Sequence, residues 1–416
     1  MFALFRNLRI LFSCAPLLFV ISPAQAETEI KGLIQGQYAF LTDDEPSFLY
    51  GADGTGLFKF DDRHDSPDIS QAFVQIQSSL AATLDLEAVI NHTRIPESFT
   101  NFSQLSLRYR PLWSPKYRWQ FRAGMFYPQF GFENPDIGWV SPFNYTNSAI
   151  SSWIGEELRI LGGEAKLTLP GRVRKSPHTF SLVGSFYKGN DPTGTLLSWR
   201  GWGFHDKQAL YNEKIRFAYL PSLKNENFVP AQPPYVEPFR EIDGRWGLYA
   251  GAHWNYKNQS NLRYYYYNNQ ADEEIVGRGG QYAWHTIFHS LAWQYRFNKE
   301  LRLIAQFMDG NTSMGINKVN VDFRSWYAML SYKINAHRIS SRYDYFKTVD
   351  RDHYPNDQND SDGFAITTSY RYDWTTNIQV GLEYIFTDRF QANRVQWSLD
   401  PDTTQHQMLA VAQYRF

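Results

Sequence analysis

Stretches in which apolar and polar residues alternate, an N-terminal export leader and a carboxyl-terminal phenylalanine predict an all-β chain. The expected architecture is a transmembrane antiparallel β-barrel of about 16 strands with its third long loop folded inward. Composition excludes the main alternatives. A mean hydropathy of -0.48, with no second long apolar run after the leader, rules out a bundle of membrane helices, each of which needs roughly 20 apolar residues. A hydrophobic share of 43% with 41 basic and 42 acidic residues rules out disorder and leaves no basic excess for nucleic acid. The 31 Phe, 27 Tyr and 13 Trp fit a lipid face ringed by aromatics.

Residues 1–26 read as a signal peptide. Arg6 and Arg9 supply the positive region, Ile10 to Ile21 is mostly apolar, and Ala24-Gln25-Ala26 has the small-x-small form of a cleavage site. The bulky Phe12 argues against reading Leu11 to Cys14 as a lipoprotein signal. The mature chain, 27–416, then begins at Glu27 as a single barrel without cysteine, and cannot be a disulfide scaffold.

Along that chain the period-2 pattern recurs. Leu105, Leu107 and Tyr109 alternate with Ser106, Arg108 and Arg110; Tyr117, Trp119, Phe121, Ala123 and Met125 alternate with Arg118, Gln120 and Arg122. Trp246 to Trp254, Leu301 to Phe307 and Ile378 to Phe386 repeat it. Short turns are expected near Ala81, 111–116, 170–177, 257–260, 298–300, 334–336 and 374–377. Long connections are expected near 41–67, 94–102, 127–155, 189–244, 269–281, 310–320, 349–361 and 389–404. Lys214 to Leu220, within the long extracellular segment 189–244, is open to reading as a further strand. An even strand count puts both termini on the short-turn, periplasmic rim and lets the last strand close on Gly32 to Phe40.

The end is the most specific local signal: Met408, Ala410, Ala412, Tyr414 and Phe416 alternate with Gln407, Leu409, Val411, Gln413 and Arg415. This is similar to the terminal signal of Gram-negative outer-membrane barrels, which implies the barrel-assembly machinery as a partner through Phe416. Outer-membrane lipid and lipopolysaccharide are the expected surroundings. Strands in this number leave an aqueous channel, and 127–155, rich in Pro, Gly and aromatics after the fifth strand, is the expected constriction loop. A loop capping the barrel is the alternative.

The stretch Gly124-Met125-Phe126-Tyr127-Pro128-Gln129-Phe130-Gly131-Phe132-Glu133-Asn134, continued by Ala149 to Arg159, resembles the phosphate-selective porin O/P-type family. The resemblance covers 120–165 most strongly and implies a homotrimeric, sixteen-stranded anion channel. This sequence departs from the family in lacking a dense arginine ladder.

Parity assigns each charge a side. Arg108, Arg122, Arg245, Arg263, Arg302 and Arg342 are expected to line the pore, with Arg108 and Arg122 on neighbouring strands at mid-height. Loop acids Glu133, Asp136, Glu156 and Glu157 are expected to set a transverse field against them, and basic lumen side chains favour anions. Structural pairing of those arginines with loop acids is the alternative. Tyr265 and Tyr267 face inward as a candidate sugar track, whereas Trp254, Tyr264 and Tyr384 read as girdle. Trp199, Trp202 and Phe204 either join that track or pack the 189–244 loop. His289 and Ser290 point to opposite faces, and no nucleophile elbow or metalloprotease motif occurs, so no catalytic residue, metal site or cofactor is expected. The acid runs 61–65 and 350–362 read as solvated loops. The expected function is passive diffusion of small hydrophilic solutes, with a lean towards anions. A surface-binding or adhesion barrel with a closed lumen, working through 189–244, is the alternative.

Overall fold

The computed structural model describes residues 27–41, 48–50, 54–61, 67–225, 228–352, 354 and 356–416. The leader and the acids Asp62 to Asp65 lie outside the described residues. Sixteen antiparallel strands close into one barrel. They are β1 Thr28–Leu41, β2 Asp68–Ala81, β3 Leu84–Thr93, β4 Phe99–Tyr109, β5 Arg118–Phe126, β6 Ile160–Leu169, β7 His178–Lys188 and β8 Gly247–Tyr256, then β9 Ser260–Asn268, β10 His285–Arg296, β11 Leu301–Met314, β12 Val319–Ile334, β13 His337–Asp350, β14 Ser361–Asp373, β15 Ile378–Gln391 and β16 Asp402–Arg415.

Each strand joins its chain neighbours, and β1 closes on β16 from Leu33 opposite Arg415 to Leu41 opposite Gln407. Beyond that ladder Gly32 and Phe416 exchange backbone hydrogen bonds of 2.9 and 3.2 Å. Alternation along the strands follows the two environments. In β13 Ser340, Arg342, Asp344, Phe346 and Thr348 are buried in the lumen, while Ile339, Ser341 and Tyr343 are exposed on the outer wall.

The seven connections expected to be short all lie on one rim and the eight expected to be long on the other, as the alternation requires. Two long-rim connections are shorter than expected. β4 starts at Phe99, and 310–320 is a hairpin in which β11 and β12 continue to Met314 and Val319 around a four-residue turn. Gly315 and Asn317 in that turn adopt φ of 66° and 54°, which glycine and asparagine tolerate best. The further strand considered at Lys214 to Leu220 is no barrel strand: Ile215–Arg216 makes only a two-residue ladder with Tyr235–Val236.

The lumen is packed. Helix α1, Ala149–Glu157, is capped by the Ser148 hydroxyl, which accepts from the Ser151 amide at 3.1 Å. Helix α2, Thr195–Arg200, lies in the 189–246 connection. Trp153, Trp202 and Phe204 enter one apolar cluster with the inward faces of β8 to β15, and Trp199, Phe217 and Trp284 enter a second.

A Cβ placed on Gly32 falls within the Phe416 ring. Gly32→Val is expected to cost about 1–3 kcal/mol of overpacking, measured as a lower urea midpoint for loss of the heat-modifiable gel form. An unchanged midpoint would remove this seam from the account of closure.

Candidate functional site

The site is built by residues 127–158 running through the barrel. Tyr127, just past β5, gives its carbonyl to Arg122 at 3.3 Å, and Gly131 gives its carbonyl to Arg263 at 2.6 Å. The chain then crosses to the opposite wall. There Arg342 donates to Glu133 at 2.8 Å, to Asp344 at 2.6 Å, and to the Thr146 and Asn147 carbonyls at 3.0 Å each. Glu383 accepts from the Tyr145 and Thr146 amides at 2.7 and 2.8 Å, and Arg371 donates to the Ser141 carbonyl at 2.8 Å. At the periplasmic end Asp136 meets Arg415 at 2.6 Å.

This path leaves a cavity of about 380 Å³ between the segment and the wall of β2 to β5, β9 and β11. Arg108, Arg122 and Arg263 line its wall with Gln75, Gln104 and Gln306; Glu133 and Asp136 line it from the loop. Register places Arg108 directly opposite Arg122, and Arg122 opposite Glu164. Arg108 pairs with Glu87 at 3.0 Å, and Arg122 with Glu164 at 3.3 Å while lying 3.6 Å over the Phe126 ring. Arg108 is the penultimate residue of β4, nearer the periplasmic rim than the mid-height expected for it. Arg263 lies 4.0 Å over Phe132.

The other predicted residues divide. Arg302 faces inward and lies 5.6 Å from the Phe143 ring, beside Arg338 at 5.3 Å. Arg342 is buried, and its donors go to Glu133, Thr146 and Asn147 of the loop and to Asp344 beside it on the wall. Arg245 does not line the lumen: it precedes β8, is half exposed and pairs with Asp272 at 2.5 Å on the long-loop rim. Glu156 and Glu157 do not face the cavity. Both are buried at the end of α1 against the 189–246 segment, because the helix turns their side chains away from the charged wall. Tyr265 and Tyr267 form no open track; Phe130 packs edge-on to them at 5.1 and 6.2 Å.

Glu156 joins three loops. It accepts from Tyr50 at 2.6 Å, pairs with Arg200 and meets His205 at 3.1 Å. Burial alone would raise its carboxyl, but Arg200 and His205 hold it well below the usual carboxylate range. Glu157 forms no ion pair among the described residues. It accepts from Trp153 at 2.6 Å and from the Leu196 amide at 3.0 Å, and burial pushes it up to about 7. Burial, with Glu241 and Asp243 nearby, likewise raises Asp191 to about 7. Residues missed as ligands of the loop are Asp344, Glu383 and Arg371. An inward charge on a strand, isolated by parity, was the available signal for each.

No family model matches the chain, and no curated protein does. Solved structures share its fold. The outer membrane channel DcaP of Acinetobacter baumannii superposes with a TM-score of 0.53 at 12% identity, over 95% of this chain and 99% of that one. An anion-selective porin from Comamonas acidovorans gives 0.53 at 9% identity, over 94% and 100%. The trimer form of OmpT, an outer membrane protein of Vibrio cholerae, gives 0.52 at 10%, over 94% and 99%. The fold is that of Gram-negative outer-membrane β-barrels.

A carboxyl raised by folding holds its proton more tightly in the packed state, so packing weakens as pH rises from the ordinary carboxylate value towards the raised one. Docking of α2 on Glu157 is therefore expected to loosen between about pH 4.5 and about 7 and to level off above. Hydrogen exchange at 194–200, corrected for intrinsic rate, checks this, and Glu157→Gln is expected to flatten the profile. A wild-type profile already flat would refute it.

Proposed function

We propose that the barrel is an outer-membrane porin for passive diffusion of small hydrophilic solutes, preferring anions, exported by a signal peptide at 1–26 and assembled as a homotrimer. The observation that carries the reading is the division of charge around the lumen cavity: three arginines, Arg108, Arg122 and Arg263, against the single acid Glu87 on the wall, and Glu133 and Asp136 on the inserted segment. Across a gap of that size the two sets impose a field transverse to the axis, and the arginines present N–H groups to a passing anion. In this reading 127–158 is the constriction. Support comes from the porin and channel neighbours, one of them anion-selective and another in a trimer form. The likeness of 124–134 and 149–159 to the phosphate-selective O/P type adds kinship to the proposal; the solute is proposed only as a small anion. No enzymatic step is proposed.

A second reading has its own observation. Trp199, Trp202, Phe204 and Trp284 are buried where the 189–246 segment and its neighbours fill the long-loop mouth. If that packing is permanent, the lumen is closed and the barrel serves as a surface-binding platform. Conduction requires the segment to move.

Single-channel current under a KCl gradient separates the two. The purified protein is expected to conduct with a reversal potential on the chloride side. Arg108→Ala with Arg122→Ala is expected to shift that potential towards zero. Stable insertion without current favours the closed platform, and current with an unaltered potential in the double variant removes those arginines from the filter.

A further inference from the structure

The outer wall carries a feature that lumen function does not use. Phe307, Trp326, Tyr345 and Phe364 are register partners across β11 to β14 and form one outward aromatic row. Two residues nearer the long-loop rim, a step of roughly 7 Å along each strand, the next outward row is Asp309, Arg324, Lys347 and Asp362. Arg351 stands beyond it. Asp309, Arg324, Tyr345, Lys347 and Arg351 border a groove of about 580 Å³ on the outer wall, lined also by His289, Asn311 and Asp322.

The charges are incompletely matched. Arg324 pairs with Asp309 at 2.7 Å and Arg351 with Asp322 at 2.6 Å, each through Nε, which leaves both nitrogens at the guanidinium tip for another acceptor. Lys347 makes no ion pair among the described residues; it stands directly opposite Arg324 on one side and Asp362 on the other. Like charges opposed across two strands are unfavourable, and an anion between them removes the conflict. Aromatic rows mark the interface between acyl chains and headgroups, so this groove stands at headgroup height on the long-loop side, where the lipid phosphates lie.

We propose that the groove is a binding site for a phosphorylated glycolipid of the outer leaflet, lipopolysaccharide, with one lipid A phosphate held between Arg324, Lys347 and Arg351. Guanidinium tips bind phosphate through paired charge-assisted hydrogen bonds, with the lysine as a point charge beside them. The site is independent of whether the lumen conducts.

Native mass spectrometry of the folded protein in detergent, titrated with bisphosphorylated lipid A, tests it. Wild type is expected to retain one lipid A more tightly than the dephosphorylated lipid. Lys347→Gln, which breaks no ion pair, is expected to weaken retention several-fold, and Arg324→Gln with Arg351→Gln to weaken it about tenfold or more. Arg172→Gln with Arg174→Gln, on the opposite rim, is expected to leave it unchanged. Heat-modifiable gel mobility confirms folding of each variant, and Lys347→Gln alone decides if the double variant fails to fold. Equal retention by Lys347→Gln, or of the dephosphorylated lipid, overturns the site. Equally tight phosphatidylglycerol overturns its assignment to lipopolysaccharide.

Discussion

One buried guanidinium ties the inserted segment to the barrel. Arg342 spends its nitrogens on two carboxylates and two loop carbonyls, far from water. Taking three charges out of solvent is costly, and only complete hydrogen bonding offsets it. The gain is geometric: Glu133 from the loop and Asp344 from the wall are fixed on one planar fork, while Glu383 holds the next two amides of the same segment. With 133–149 anchored, helix α1 has one available position, and its acidic end meets the 189–246 segment.

From that anchoring follows the polarity of the interior. The segment's acids stand towards the cavity at Glu133 and Asp136, and the wall opposite carries Arg108, Arg122 and Arg263 against Glu87. Nearer the long-loop mouth the lumen changes character and becomes aromatic, with Phe130, Trp153, Tyr265, Tyr267 and Phe288 interleaved edge to face. The charged lining and the aromatic packing therefore lie at different heights of one barrel.

Strand identity was legible because alternation is a local consequence of having lipid on one side and protein or water on the other. The same rule fails where lipid ends. Within and beside 310–320 the outward residues Asp309, Asn311, Ser313, Asn320, Asp322 and Arg324 are polar, so the sequence reads as loop although the ladder continues. Arg245 was misplaced because parity was extended two residues beyond the start of β8. Glu156 and Glu157 resisted for another reason: their partners Arg200 and Leu196 are some forty residues away, brought near by loop packing that no periodicity encodes. Alternation along their strands turns Asp344 and Glu383 inward, but which atoms they bind depends on the path of a segment elsewhere in the chain.

The meeting of Tyr50, Arg200 and His205 on Glu156 also bears on how such a barrel can diverge. Surface loops are ordinarily the part of a barrel that drifts most freely under immune or phage pressure. Here three of them share one buried carboxylate, and a change in any one strands a charge or a donor contributed by another. Variation at positions 50, 156, 200 and 205 should therefore be inherited as a set, and recombination that exchanges a single loop between related barrels should be selected against.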